Sequence, residues 1–209
     1  MRFVAAMLAI LFLLAAAPAF AQDVETRCGL SLGAVAGIGI PYQREVHNEF
    51  DYTINLEVNV KYYLFWGVAI AGGTGYQYSE GAPEQIWKDG AVMYLDTPGT
   101  SFWRAWPVFG TLRVEFWRYG IWNPYIGGGA GITYLDVYRK GYVQYQPVSN
   151  GEGQWALNYL GIVGFDITLG KYFALRTEGK YRTMATYEDF LRGYDFGTYD
   201  IFAGINVYF

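Results

Sequence analysis

The sequence predicts an all-β fold: a closed, eight-stranded antiparallel transmembrane β-barrel of up-and-down meander topology. Within Tyr52 to Leu64, the apolar residues Ile54, Leu56, Val58, Val60, Tyr62 and Leu64 alternate with the polar residues Thr53, Asn55, Glu57, Asn59 and Lys61, as in a strand with one apolar and one polar face. That stretch is longer than an ordinary strand and matches a tilted bilayer crossing. Beyond residue 21 the sequence contains no apolar run long enough for a transmembrane helix. The composition agrees. At 53% hydrophobic and 16% charged residues, the chain is too apolar for disorder. Its single Cys forms no internal disulfide, and a net charge of −4 supplies no basic patch for nucleic acid.

The elements follow in order. Arg2, the apolar run Val4 to Ala17 and Ala19-Phe20-Ala21 before Gln22 make the three parts of a cleaved secretory signal peptide over 1–21. The run is short for a membrane anchor, which must cross ~30 Å. Glu25-Thr26-Arg27 precedes Cys28, which excludes a lipoprotein acylation site and leaves an inert thiol near the start of a strand. The barrel then occupies 22–209. Its strands fall at about 29–39, 52–64, 67–79, 102–116, 124–135, 155–167, 173–183 and 200–209. In the last, Ile201, Ala203, Ile205, Val207 and Phe209 alternate with Asp200, Phe202, Gly204, Asn206 and Tyr208. Three connections are short: Phe65-Trp66, about 117–123 and about 168–172. Four are long: about 40–51, 80–101, 136–154 and 184–198. Long and short alternate, so the four long loops emerge extracellularly and the three short turns lie on the periplasmic side. An even strand number lets the first and last strands meet.

Period alone does not say which face is inside, because a soluble lipocalin-like barrel alternates in the same way. Three observations favour an apolar exterior. The polar face carries Gly33, Gly37, Gly73, Gly75, Gly127, Gly129, Gly131, Gly164 and Gly204, and a crowded lumen explains glycine within strands. Aromatic residues gather near the short turns (Tyr63, Phe65, Trp66, Phe116, Trp117, Tyr119, Trp122, Tyr172, Phe173) and towards the long loops (Tyr76, Tyr78, Phe102, Trp103, Trp106, Tyr134, Trp155). Two such girdles suit the two headgroup layers. Finally, the chain ends on a strand at Phe209.

With its signal peptide, eight alternating strands, the run Asn123-Pro124-Tyr125-Ile126-Gly127-Gly128-Gly129-Ala130-Gly131 and the terminal Ile205-Asn206-Val207-Tyr208-Phe209, the chain resembles the OmpA/OmpX/opacity-like group of small outer-membrane barrels. The resemblance implies residence in the bacterial outer membrane among its lipids and lipopolysaccharide. It also implies assembly by the barrel-insertion machinery, which reads a C-terminal strand ending in Phe. Phe209, with Val207 and Ile205 on its face, takes that role.

Inward parity collects Glu57, Lys61, Arg113, Glu115, Arg176, Glu178, Lys180 and Arg182, five cations and three anions. Buried charge is costly unless paired, and an eight-stranded interior is just wide enough for side chains to fill it. A network that plugs the lumen is expected; the alternative is a hydrated lumen in which the same charges are solvated. No catalytic residue, cofactor or metal site is expected. The lone His47 has no positioned partner. His47-Asn48-Glu49 lacks the His-x-Ser pair of outer-membrane lipid A deacylases. Gln22 to Cys28 is too short for the leading helix of the palmitoyltransferases, and the chain is too short for the ten-stranded omptins. Neither Gly127-Gly128-Gly129 nor Gly37-Ile38-Gly39 opens a helix, as a dinucleotide loop would.

The expected function is structural or a cell-surface interaction, without catalysis. Ile86, Trp87, Val92, Met93, Tyr94, Leu95, Tyr138, Tyr142 and Tyr145 in the loops either pack over the barrel mouth or contact a host surface or small hydrophobic ligand. The alternative is OmpW-like transport of small hydrophobic molecules. It draws on Pro107, which removes a ladder hydrogen bond, and on an inward apolar set of Phe109, Leu160, Ile162 and Phe202.

Overall fold

A computed structural model describes residues 29–65, 67–88, 91–117, 120–186 and 196–209. The signal peptide, Cys28, Trp66 and Tyr119 lie outside these residues. Eight long strands close into a ring: β1 (Leu30–Pro41), β2 (Thr53–Phe65), β3 (Val68–Gly81), β6 (Thr100–Glu115), β7 (Trp122–Val143), β8 (Gln146–Thr168), β9 (Phe173–Ala185) and β10 (Thr198–Tyr208). A short helix, α1 (Arg44–Glu49), follows β1, and a separate hairpin of β4 (Gln85–Lys88) and β5 (Ala91–Tyr94) follows β3. Each strand pairs antiparallel with its neighbour in the chain. β1 pairs with β10 from Ser31↔Tyr208 to Pro41↔Thr198, which removes the edges. Among the described residues no helix is long and apolar enough to cross a membrane; the strands make the crossing.

The two faces separate as their sequence alternates. Along β2, positions from Thr53 to Tyr63 alternate between buried and exposed. The exposed set includes Leu56, Val58 and Val60, and it is joined around the ring by Ile126, Val163 and Ile201. An apolar belt of this extent is foreign to a soluble monomer but at home in lipid. On β7 the belt runs from Trp122 to Tyr134, which after strand tilt spans about 30 Å. At its upper edge Tyr76, Trp106, Tyr134 and Trp155 form a continuous row across four strands, with ring centroids 5.5, 5.8 and 5.4 Å apart. Tyr42, Tyr181 and Tyr199 form a second aromatic cluster near the β9–β10 seam. At the short-turn end Trp122 meets Phe165 at 5.8 Å.

Three of the long connections contain regular structure. The stretch 136–154 is not an open loop: β7 and β8 run through it as one hairpin that turns at Gln144 and Tyr145, with φ of 49° and 62°. Both values lie in the left-handed region required by a two-residue I′ turn. The usual Asn-Gly signal is missing, so the turn is unmarked in the sequence. The stretch 40–51 holds α1, and 80–101 holds the β4–β5 hairpin. At Pro107 the ladder is interrupted without a bulge. It passes from Thr74↔Val108 to Gln77↔Ala105 in unchanged register, while the Thr74 hydroxyl donates to the Pro107 carbonyl at 2.9 Å.

The inward glycines of β1 place the site. A Cβ on Gly33 would lie 2.6 Å from Asn206 Oδ1, 2.8 Å from Asn59 Oδ1 and 2.9 Å from Arg176 Nη1. β1 is thus nearly bare on its inner face. Side chains of β2 reach those of β9 and β10 over it.

Candidate functional site: the charged lumen

At the short-turn end, strands β2, β6, β8, β9 and β10 aim polar side chains at one another. Asp166 is the hub. It accepts from Arg176 Nε at 3.0 Å, Asn206 Nδ2 at 2.7 Å and the Tyr208 hydroxyl at 3.1 Å, with Lys61 Nζ 3.8 Å away. Arg176 also donates to Asn59 Oδ1 across β1 and β10 at 3.1 Å. Lys61 pairs closely with Glu115, which further accepts from the Tyr63 hydroxyl at 2.7 Å and from Asn123 Nδ2 at 2.5 Å.

Higher in the lumen a second group centres on Glu57, which takes Lys180 on one oxygen and Arg182 on the other. Lys180 also lies 2.7 Å from Glu178, and Arg113 donates to Glu178 at 3.0 Å. The Tyr125 hydroxyl donates to the same carboxylate at 2.7 Å. Asp200 accepts from Asn55 at 2.9 Å and lies 3.8 Å from Arg182. Aromatic rings complete the surroundings, with Lys180 4.5 Å from the Phe202 centroid and Arg182 5.9 Å from that of Phe109.

The eight charged residues given inward parity by the sequence are all buried. Asp166 and Asp200 were not among them, and they correct the count to five anions against five cations. A signal for both was present: an excess of two positive charges in a low-dielectric interior demands two more carboxylates, and both residues have inward parity. Electroneutrality matters because each buried ion loses several kcal/mol of hydration, recovered only through close pairing with hydrogen bonds on the remaining atoms.

Two aromatic residues assigned to the membrane girdles belong instead inside. Tyr63 is 4% exposed and supplies its hydroxyl to Glu115. Trp103 is 0% exposed and anchors an apolar layer at the long-loop mouth. Phe50 meets Trp103 edge-on at 6.1 Å and Phe196 meets it at 5.2 Å; Val46, Leu135 and Met184 fill the remainder. A bidentate pair, Arg139 Nε to Glu49 Oε1 at 2.6 Å and Nη2 to Oε2 at 2.5 Å, ties the end of α1 to the wall. The inward apolar set splits: Phe109, Leu160 and Ile162 pack with Tyr125, and Phe202 faces Lys180.

Of the remaining candidates, Ile205 and Phe209 stand exposed on the outer face with Val207 between them, and the Phe209 amide donates to the Leu30 carbonyl at 3.0 Å. His47 lies exposed on α1, away from the lumen. Among the described residues no group of three or more His, Cys, Asp or Glu side chains could hold a metal ion.

No protein-family model matches the chain, and no curated protein matches it. Solved structures do. The crystal structure of Neisserial surface protein A (NspA) aligns with a TM-score of 0.59 at 10% identity, over 88% of this chain and 100% of that one. The outer membrane protein OprG from Pseudomonas aeruginosa aligns with a TM-score of 0.54 at 12% identity, over 90% and 99% of the two chains. At such low identity the likeness is one of architecture. With the apolar belt outside and the polar lumen inside, the chain has the fold of the small eight-stranded outer-membrane β-barrel proteins.

Proposed function

We propose that this chain is a non-enzymatic, non-conducting integral outer-membrane protein that anchors and displays its loops for a structural or surface-interaction role. The observation that supports this is the balanced set of ten buried charges, whose pairs reach across the lumen between strands that are not neighbours. A passage for ions would have to break several of these pairs at once. Outer-membrane lipids and lipopolysaccharide surround the belt. The barrel-insertion machinery reads Ile205, Val207 and Phe209, which share the outer face of the last strand. Single-channel recording in planar bilayers tests the plug. The wild-type barrel is expected to give no open steps, and the triple variant Arg176→Ala, Glu178→Ala, Lys180→Ala is expected to conduct and to unfold at lower temperature. A triple variant with neither change would sink the plug.

A second reading, OmpW-like passage of small hydrophobic molecules sideways into the membrane, draws on the interrupted ladder at Pro107. Against it, Phe109, Leu160, Ile162 and Phe202 are all buried in packing. Alkane or detergent density in the barrel mouth of a crystal would favour this reading over the plugged anchor.

A further inference from the structure

Above the girdle row of Trp106, Tyr134 and Trp155 the wall of β6, β7 and β8 continues. Thr100 and Lys140 pair with each other six residues beyond the Trp106↔Tyr134 pair, and Ser149 pairs with Lys140 on β8. At the usual strand rise and barrel tilt they stand about 15 Å above the girdle. A cavity of about 590 Å³ lies here, lined by Thr97, Thr100, Tyr138, Lys140, Tyr142 and Ser149 among others. This volume falls within the range of small-molecule sites. Lys140, Tyr138 and Tyr142 share the parity of Tyr134, so the cavity faces sideways, over the surrounding membrane, and not over the barrel mouth.

Its walls are fixed. The Asp96 amide donates to the Tyr142 carbonyl at 2.9 Å, the Tyr145 amide donates to Asp96 Oδ2 at 2.9 Å, and the Gly99 amide donates to the Pro83 carbonyl at 2.9 Å. The Leu95 side chain sits over Gly141 so closely that a Cβ there would meet it at 2.6 Å. The Tyr138 ring is stacked on Phe102 at 5.0 Å and 24°. The lining therefore offers three aliphatic hydroxyls, two tyrosines and one ammonium, with no carboxylate.

Hydroxyls donate and accept with polyols, tyrosine faces cover the apolar side of a sugar ring, and a lone cation selects one acidic substituent. A phospholipid headgroup does not extend to this height. We infer that the cavity binds an anionic saccharide, and specifically the phosphorylated core sugars that stand beyond the lipid A portion of the outer-leaflet glycolipid surrounding the barrel. This rests on the outer-membrane placement of the chain.

The full-length protein in detergent is titrated with rough lipopolysaccharide carrying a phosphorylated inner core, with lipid A alone, and with the released core oligosaccharide. Wild type is expected to bind the core-bearing form about tenfold more tightly than lipid A, the worth of one charge-assisted hydrogen bond, with the released core competing. K140Q and Y142A are expected to abolish that difference. Equal binding of lipid A and the core-bearing form, or variants that behave as wild type, would overturn the inference. Heparin competing better than the released core would overturn the assignment to the membrane's own glycolipid. Heat-modifiable gel mobility and vesicle insertion of the same samples report on the barrel itself. Their loss strikes the barrel reading, whereas selective loss of core binding strikes only the cavity.

Discussion

Below Phe109 and Phe202 the lumen is filled by side chains of the barrel wall that are mostly charged or polar, whereas at the mouth Val46, Phe50 and Phe196 arrive from the connecting segments and meet Trp103 as an apolar layer. The lower filling cannot leave without dismantling the strands that carry it. Of the upper filling, Val46, Phe50 and Phe196 hang on connections outside the strand ladder, so their loss leaves the hydrogen-bonded wall intact. On the plugged-lumen reading proposed above, the barrel holds two seals whose expected failure modes differ, the first global and electrostatic, the second local and hydrophobic.

The sharpest way to break the lower seal is Glu57→Ala, which strands Lys180 and Arg182 without their shared carboxylate. Loss of one partner of a buried ion pair costs about 3–5 kcal/mol, so urea unfolding of the vesicle-inserted barrel is expected to shift by that amount. A shift under about 1 kcal/mol would mean that water already solvates these charges. The upper seal is expected to respond differently. Phe50→Ala removes about 3 kcal/mol of packing, but the loss is confined to local opening of 42–50. Trypsin cleavage after Arg44 is expected to accelerate roughly a hundredfold, with the urea midpoint nearly unchanged. If both variants lowered global stability equally, the two seals would be one cooperative unit.

A smaller change probes the hairpin that rises above both. Tyr145 has φ of 62° and is 91% exposed, so its ring contributes little packing against the strain of its backbone. Tyr145→Gly is expected to stabilise the turn by about 1 kcal/mol, read as slower hydrogen exchange of the amides near Val143 and Gln146.

The sequence was most legible where a wrong choice of face is most costly. The row Arg176, Glu178, Lys180 and Arg182 could point only inward, because each charge on the lipid face would cost several kcal/mol. Leu56, Val58 and Val60 were equally constrained outward. Tyr63 and Trp103 were not, since an aromatic ring with a polar atom is tolerated at the membrane interface and in a hydrogen-bonded interior alike; parity, not residue type, decides them. Asp166 was legible through charge balance, but only once the other eight were counted as a set. The Gln144-Tyr145 turn left no trace, because neither residue has an intrinsic preference for the backbone it adopts. The mouth layer depends on Phe50 and Phe196, brought together by connections whose paths have no periodicity to read.

The bare inner face of β1 also bears on how the barrel is made. Glu57 and its cations are separated by 123 and 125 positions in the chain, and β1 and β10 lie between them in the ring. Until the last strand docks against the first, the carboxylate and its partners sit on distant parts of an open sheet, and their attraction contributes nothing. Pairing across so long a span is slow to find, because the entropy of loop closure must be overcome before the contacts reward it. Once the seam shuts, the interactions over Gly33, Gly37 and Gly39 form together, so closure gains its stabilisation in a single late step and the completed ring resists reopening.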